Sequence, residues 1–99
     1  MGRRMSLEFE WDEDKAASNQ KKHRVTFEEA ATVFADPLAA VFDDEVHLEE
    51  EQREIIIGHS GKHQLLLVGF TERAGAIRII SARRATKRER RDYEENPHR

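Results

Sequence analysis

The chain of 99 residues contains no cysteine, which excludes disulfides, thiol nucleophiles and cysteine-bound zinc. It has only two prolines and five glycines, and shows no linker, internal repeat or low-complexity tract. One domain is expected over residues 9–95, with a disordered tail at 1–8 and a short tail at 96–99. No apolar run approaches the ~20 residues that span a bilayer. Arg3-Arg4 leads into no apolar stretch of the secretory kind, so the expectation is a cytoplasmic protein without membrane contact. Phosphate-binding glycine loops, an HExxH zinc helix and a GxSxG elbow are also missing. His59 and His63 flank a turn, but no third ligand stands near them, so no metal or other cofactor is expected.

What the chain has in quantity is charge. Charged and apolar residues each make up 37%, a small core for a domain of this size and one that suits stabilisation by a partner. Twenty acids against 17 lysines and arginines leave a net charge of −3. The two signs are segregated. Residues 43–54 hold seven acids and one arginine, which reads as a solvated turn between strands. Residues 78–99 hold eight basic and four acidic residues, a local charge of +4 where a polyanion would be gripped.

Asp12 is placed to cap a first helix ending near His23, with Glu13 and Asp14 in its first turn and Lys21 and Lys22 in its last, complementing the helix dipole. Trp11, Lys15, Asn19 and Lys22/His23 share one face, which is oddly polar for a core-facing side. Thr26 and Glu29 spell a capping box for a second helix, whose apolar stripe is Phe27, Ala30, Ala31 and Phe34. Asp36-Pro37 ends it. Leu38 to Phe42 reads as an edge strand. Residues 53–58 and 64–70 read as central strands joined by a turn at Ser60-Gly61-Lys62. A final strand, Ile77 to Arg84, runs into a last helix with almost no apolar face, supported by the i,i+4 pairs Arg88–Asp92, Arg90–Glu94 and Arg91–Glu95. The expected fold is α+β, in the order α-α-β-β-β-β-α, with an antiparallel four-stranded sheet and helices packed on one face.

Strict alternation along the final strand puts Arg78, Ile80, Ala82 and Arg84 on one face and Ile77, Ile79, Ser81 and Arg83 on the other. Arginines bind phosphate bidentately and stay charged, which suits a transition state that gathers negative charge; a solvated strand end fits the spacing equally well. His23 lies at a helix C-terminus, where the dipole favours positive charge. It is a candidate proton donor or RNA contact, with a capping or packing role as the alternative.

Residues 79–93, Ile-Ile-Ser-Ala-Arg-Arg-Ala-Thr-Lys-Arg-Glu-Arg-Arg-Asp-Tyr, resemble the closing signature of the BrnT family, toxins of bacterial toxin–antitoxin pairs. Glu10-Trp11-Asp12, Lys15, Asn19, Lys22-His23 and residues 25–30 match its opening; Phe34, Asp36-Pro37, Arg53, Gly58, Ser60 and Thr71 follow in register. The family pattern has glycine where Arg24 stands, so this turn is expected to differ. The resemblance implies a RelE-like fold and a metal-independent endoribonuclease that cleaves mRNA and inhibits translation. The substrate's own 2′-hydroxyl would attack the phosphate, with Arg78, Arg83, Arg84 and His23 as the catalytic set. His59, Glu72 and Tyr93 are further acid–base candidates. Lys15, Lys22, Arg53, Lys87 and Arg88 become candidate RNA contacts, and Arg88, Arg91 and Tyr93 candidate partner contacts. The implied partner is a BrnA-type ribbon-helix-helix antitoxin in a heterotetramer, with DNA reached only through that antitoxin. The competing expectation is a binding module without catalysis, whose only output is the complex; the acidic net charge favours it.

Overall fold

The computed structural model describes residues 7–45 and 52–95. Among these, the elements run β1 (Glu8–Glu10), α1 (Glu13–His23), α2 (Phe27–Thr32) with a 3-10 turn at Val33–Ala35, β2 (Ala40–Asp43), β3 (Glu54–His59), β4 (Leu65–Arg73), β5 (Ala76–Arg84) and α3 (Lys87–Glu95). The expected tails and the middle of the acidic 43–54 segment fall largely outside the described residues.

The sheet corrects the four-stranded antiparallel expectation. It has five strands in the order β1-β5-β4-β3-β2 and is mixed, because β1 runs parallel to β5 with Glu8, Phe9 and Glu10 opposite Ala76, Ile77 and Arg78. Three residues with one aromatic carry no readable alternation, so β1 has no signature of its own. The remaining pairs are antiparallel. Among the described residues no helix is long and apolar enough to cross a membrane.

One face of the sheet is sealed by α1 and α2. Val25, Phe27, Ala30 and Val33 pack on Ile56, Leu66, Val68, Phe70, Ile77 and Ile79. Aromatic edges extend this core outward: Phe34 meets Phe9 at 5.3 Å and Phe70 at 5.0 Å between ring centroids, and Trp11 meets Phe27 at 5.9 Å. The Thr26 half of the expected capping box is present, with Glu29 N–H donating to Thr26 Oγ1 at 3.0 Å. The Glu29 carboxylate turns elsewhere: it is buried and accepts from Ser60 Oγ at 2.6 Å and Gln64 Nε2 at 2.9 Å, tying α2 to the β3–β4 turn.

Asn19 explains the polar stripe of α1. β1 covers β5 only as far as Arg78, which leaves the outer edge of β5 open beyond it. The buried Asn19 amide stands in for the missing strand. Its Nδ2 donates to Ala82 O at 2.9 Å and Val25 O at 3.0 Å, and its Oδ1 accepts from Ala82 N at 3.1 Å. Among the described residues, these bonds satisfy Ala82's backbone where no strand reaches it.

Arg24 departs from the sequence expectation. It takes the left-handed conformation, φ 60° and ψ 31°, and its N–H closes α1 by donating to Gln20 O. The turn that a glycine would favour is kept by a residue that is strained in it. Arg24→Gly should therefore stabilise the fold by up to ~1 kcal/mol, raising Tm by at most about 8 °C. A melting curve unchanged or shifted down would show that the Arg24 side chain contributes more than its backbone costs.

Candidate functional site

The opposite face of the sheet is not bare, as helices packed on one face would leave it: α3 lies over part of it, and the rest forms an open cleft. Its shape depends on an irregularity in β5. Gly69 pairs with Ser81 but Phe70 pairs with Ile79, so Ile80 is an extra residue in the ladder. This bulge overturns the strict alternation expected for the strand. Arg78, Ser81 and Arg83 share the open face with Thr71, Gly69 and Leu67, while Ala82 and Arg84 pair with Val68 and Leu66 on the helix-covered side. Arg78 is thereby grouped with Arg83 rather than with Arg84.

Two cavities adjoin on this face. The first, about 330 Å³, has Ile55, Leu67 and Gly69 as its floor, with His23, Asp44, Ser81 and Arg83 around it. A side chain on Gly69 would come within 2.8 Å of Ser81 Oγ, so glycine keeps the floor open. The second, about 390 Å³, lies under α3 and is lined by Phe42, Ile57, Glu89, Asp92 and Tyr93. Ile55, Leu67 and Arg83 belong to both and form the partition.

His23 reaches the first cavity because α1 is pinned one turn earlier by Asn19 on Ala82. Arg83 is held by a two-pronged ion pair: Nη1 donates to Glu89 Oε1 and Nη2 to Glu89 Oε2, both at 2.8 Å. Glu89 also completes a capping box that the sequence reading missed. Its Oε1 accepts from Thr86 N at 2.9 Å, and its own N–H donates to Thr86 Oγ1 at 3.1 Å. The signal was legible as Thr86-x-x-Glu89, but not its link to Arg83.

The bonds to Arg83, then those to Thr86, pull the Glu89 carboxyl down to about 2, and the same pair raises Arg83. A depressed carboxyl stabilises the fold only while it is ionised. That contribution is full above about pH 4.5 and is lost as pH falls toward 2. The stability gap between the natural chain and Glu89→Gln should therefore close over this window. Urea melts at pH 6 and pH 2.5 with an equal gap would refute it. Both side chains are partly exposed, so the gap itself is modest.

The last helix is better anchored than its sequence suggests. Tyr93 Oη donates to Leu38 O at 2.9 Å, and its ring stands edge-on to His59 at 5.9 Å. Arg90 and Glu94 form one of the expected pairs at 3.8 Å.

The other sequence-nominated residues are dispersed. Arg78 sits four register positions from Arg83, roughly 13 Å along the strand, with Glu10 at 3.4 Å. Arg84 is exposed on the far side of β5. Lys15 and Lys22 are exposed on α1; Lys87, Arg88 and Arg91 are exposed on α3. Arg53 is half-buried before β3, where its carbonyl accepts from Asp44 N at 3.0 Å. Asp44 and Ser81 line the first cavity without having been singled out. Among the described residues, no three His, Asp or Glu side chains gather as a metal site.

A family model described as "Ribonuclease toxin, BrnT, of type II toxin-antitoxin system" matches residues 11–89. The crystal structure of the Brucella abortus ribonuclease toxin BrnT is similar, with a TM-score of 0.66 and 25% identity over 83% of this chain and all of that one. No curated protein matches by sequence. With four-fifths of its length covered by that model and its fold shared with a solved toxin, the chain belongs to the BrnT family of ribonuclease toxins of type II toxin–antitoxin systems, a membership that implies an antitoxin partner.

Proposed function

We propose that this chain is an endoribonuclease that cleaves mRNA and so inhibits translation, working in the cytoplasm without a metal. The observation that carries the reading is the shared cleft: a histidine from the end of α1 and an arginine from β5 line one cavity on the open face of the sheet. In the reaction, the 2′-hydroxyl oxygen of the RNA attacks the adjacent phosphorus and the bond to the 5′-oxygen breaks. A proton leaves the 2′-hydroxyl and another reaches the departing 5′-oxygen. Arg83 balances the charge gathering on the phosphorane, and His23 moves one of the protons. Asp44, which lines the same cavity, is a candidate to handle the other. Arg78, on the same face but farther along, serves a neighbouring phosphate, and Arg84, Lys15, Lys22, Arg53, Lys87 and Arg88 add to RNA affinity.

The partner fits as a BrnA-type ribbon-helix-helix antitoxin. Two toxins on an antitoxin dimer would make a heterotetramer that meets DNA only through the antitoxin. Arg88 and Arg91, exposed on α3, together with Tyr93, lie where such a partner would cover the cleft from the α3 side. The test of the function is direct. The purified chain should cut mRNA in the presence of EDTA, leaving 2′,3′-cyclic phosphate and 5′-hydroxyl ends. Intact RNA, with ribosomes and without, would refute it.

One observation favours a second reading, a binding module without catalysis: the Arg83 guanidinium already holds a carboxylate, and the chain is acidic overall. Expression alone in a bacterium separates the two, since only the nuclease arrests growth and is relieved by substitution at Arg83.

A further inference from the structure

A guanidinium carries five N–H donors, arranged so that two separate edges can each grip a two-oxygen acceptor. In Arg83 one edge is filled. Nη1 and Nη2 each donate to Glu89 at 2.8 Å, and the remaining Nη1 donor lies 3.2 Å from Arg84 O. Among the described residues, what is left is Nε–H and the outer Nη2–H, which lie side by side and form the second edge. Of these two cavities, Glu89 lines the one beneath α3 and His23 its neighbour. Glu89 therefore grips the partition from one side.

We propose that Glu89 is a positioning residue: by filling one edge of Arg83 from the α3 side, it presents the other edge, Nε–H with Nη2–H, to a phosphate in the His23 cavity. Thr86 completes the device. Its backbone N–H and hydroxyl fix Glu89 on both sides, so the carboxylate is set by the first turn of α3 and the arginine by the carboxylate. A long, flexible side chain is thereby ordered before substrate arrives. The pair need not open for a phosphate to bind, which distinguishes this arrangement from a carboxylate that blocks the site. The proposal rests on the cleft being the nuclease site, but its central claim concerns phosphate binding and can be tested apart from cleavage.

The probe is inorganic phosphate, titrated into the full-length, isotope-labelled chain while the Arg83 Nε–H signal is followed by NMR. Arg83→Lys identifies that signal by its loss. In the natural chain the signal should be sharp and should move with phosphate. In Glu89→Gln it should broaden, and phosphate affinity should fall roughly tenfold. Tighter phosphate binding in Glu89→Gln would overturn the proposal, because it would make Glu89 a blocker. Glu94→Gly, which weakens α3 by removing its ion pair with Arg90 and adding a flexible backbone position but touches neither Glu89 nor Arg83, controls for loss of α3 and should bind phosphate within about threefold of the natural chain; a loss matching that of Glu89→Gln would assign the effect to α3 stability and overturn the proposal. With an RNA substrate, Glu89→Gln should lower kcat by about tenfold to a hundredfold and leave KM nearly unchanged. In an Arg83→Lys background the same change should cost nothing, and additive losses would overturn the link between the two residues. A chain that cuts no RNA would sink the nuclease reading, while the phosphate titration would still decide the role of Glu89.

Discussion

Alanine at Arg83 should slow RNA cleavage by about 10²–10³ in kcat, and alanine at His23 by about 10²–10⁴, with Tm in each case within a few degrees of the natural chain. The size follows from the kind of interaction removed. A fixed donor aimed at developing charge is worth several kcal/mol only in the transition state, so its loss falls on kcat rather than KM. Arg84→Ala is the internal control. Its side chain lies on the other side of β5, so it should weaken RNA binding modestly and raise the salt sensitivity of KM without a comparable loss in kcat. Equal losses at Arg83 and Arg84 would show that the cleft does not discriminate between the two faces. The double variant His23→Ala/Arg83→Ala should lose less than the product of the single effects, because the two groups serve one step.

Asn19→Ala should damage folding as much as loss of a buried apolar side chain, costing about 3 kcal/mol and lowering Tm by more than roughly 10 °C. It would leave the N–H and C=O of Ala82 and the C=O of Val25 without the amide that now satisfies them, all close to the core. Asn19→Asp sharpens the test. A carboxylate keeps the acceptor for Ala82 N–H but turns an oxygen toward two carbonyls that had accepted a donor. It should be at least as destabilising as alanine at neutral pH. A Tm shift under about 3 °C for either variant would mean that water or a backbone adjustment replaces the amide without cost.

Much of this fold is legible from local rules. Asp12 and Thr26 announce the two helices by their capping oxygens, and both are seen to accept the expected N–H bonds. The apolar runs of β3 and β4 mark them as central strands, and the order of elements from α1 to α3 follows from turns and caps. What escapes is non-local. β1 is recognisable only by the strand it joins, 68 residues away in sequence. The buried role of Asn19 depends on an unpaired stretch of β5 that nothing near Asn19 reveals. The site suffers in the same way. Arg83 and His23 could each be nominated by charge and position, but their meeting in one cavity, with Asp44 and Ser81, is a product of the sheet. Glu89 sat in a visible capping pattern whose second task required the chain to turn back on β5.

The extra residue in β5 also sets how this strand can change length. It holds one residue of slack between Ile79 and Arg83. A single-residue deletion in that stretch can be taken up by straightening the ladder, after which Arg83 still meets the cleft and only the local bend is lost. An insertion there has no such outlet. Carried through the ladder, it would set Ala82 opposite Leu67 and Arg83 opposite Leu66, turning Arg83 toward the helices and away from the cleft. Shortening and lengthening, equal as genetic events, are thus unequal here, and relatives that differ in length at this point should differ by losing the residue rather than by gaining a second.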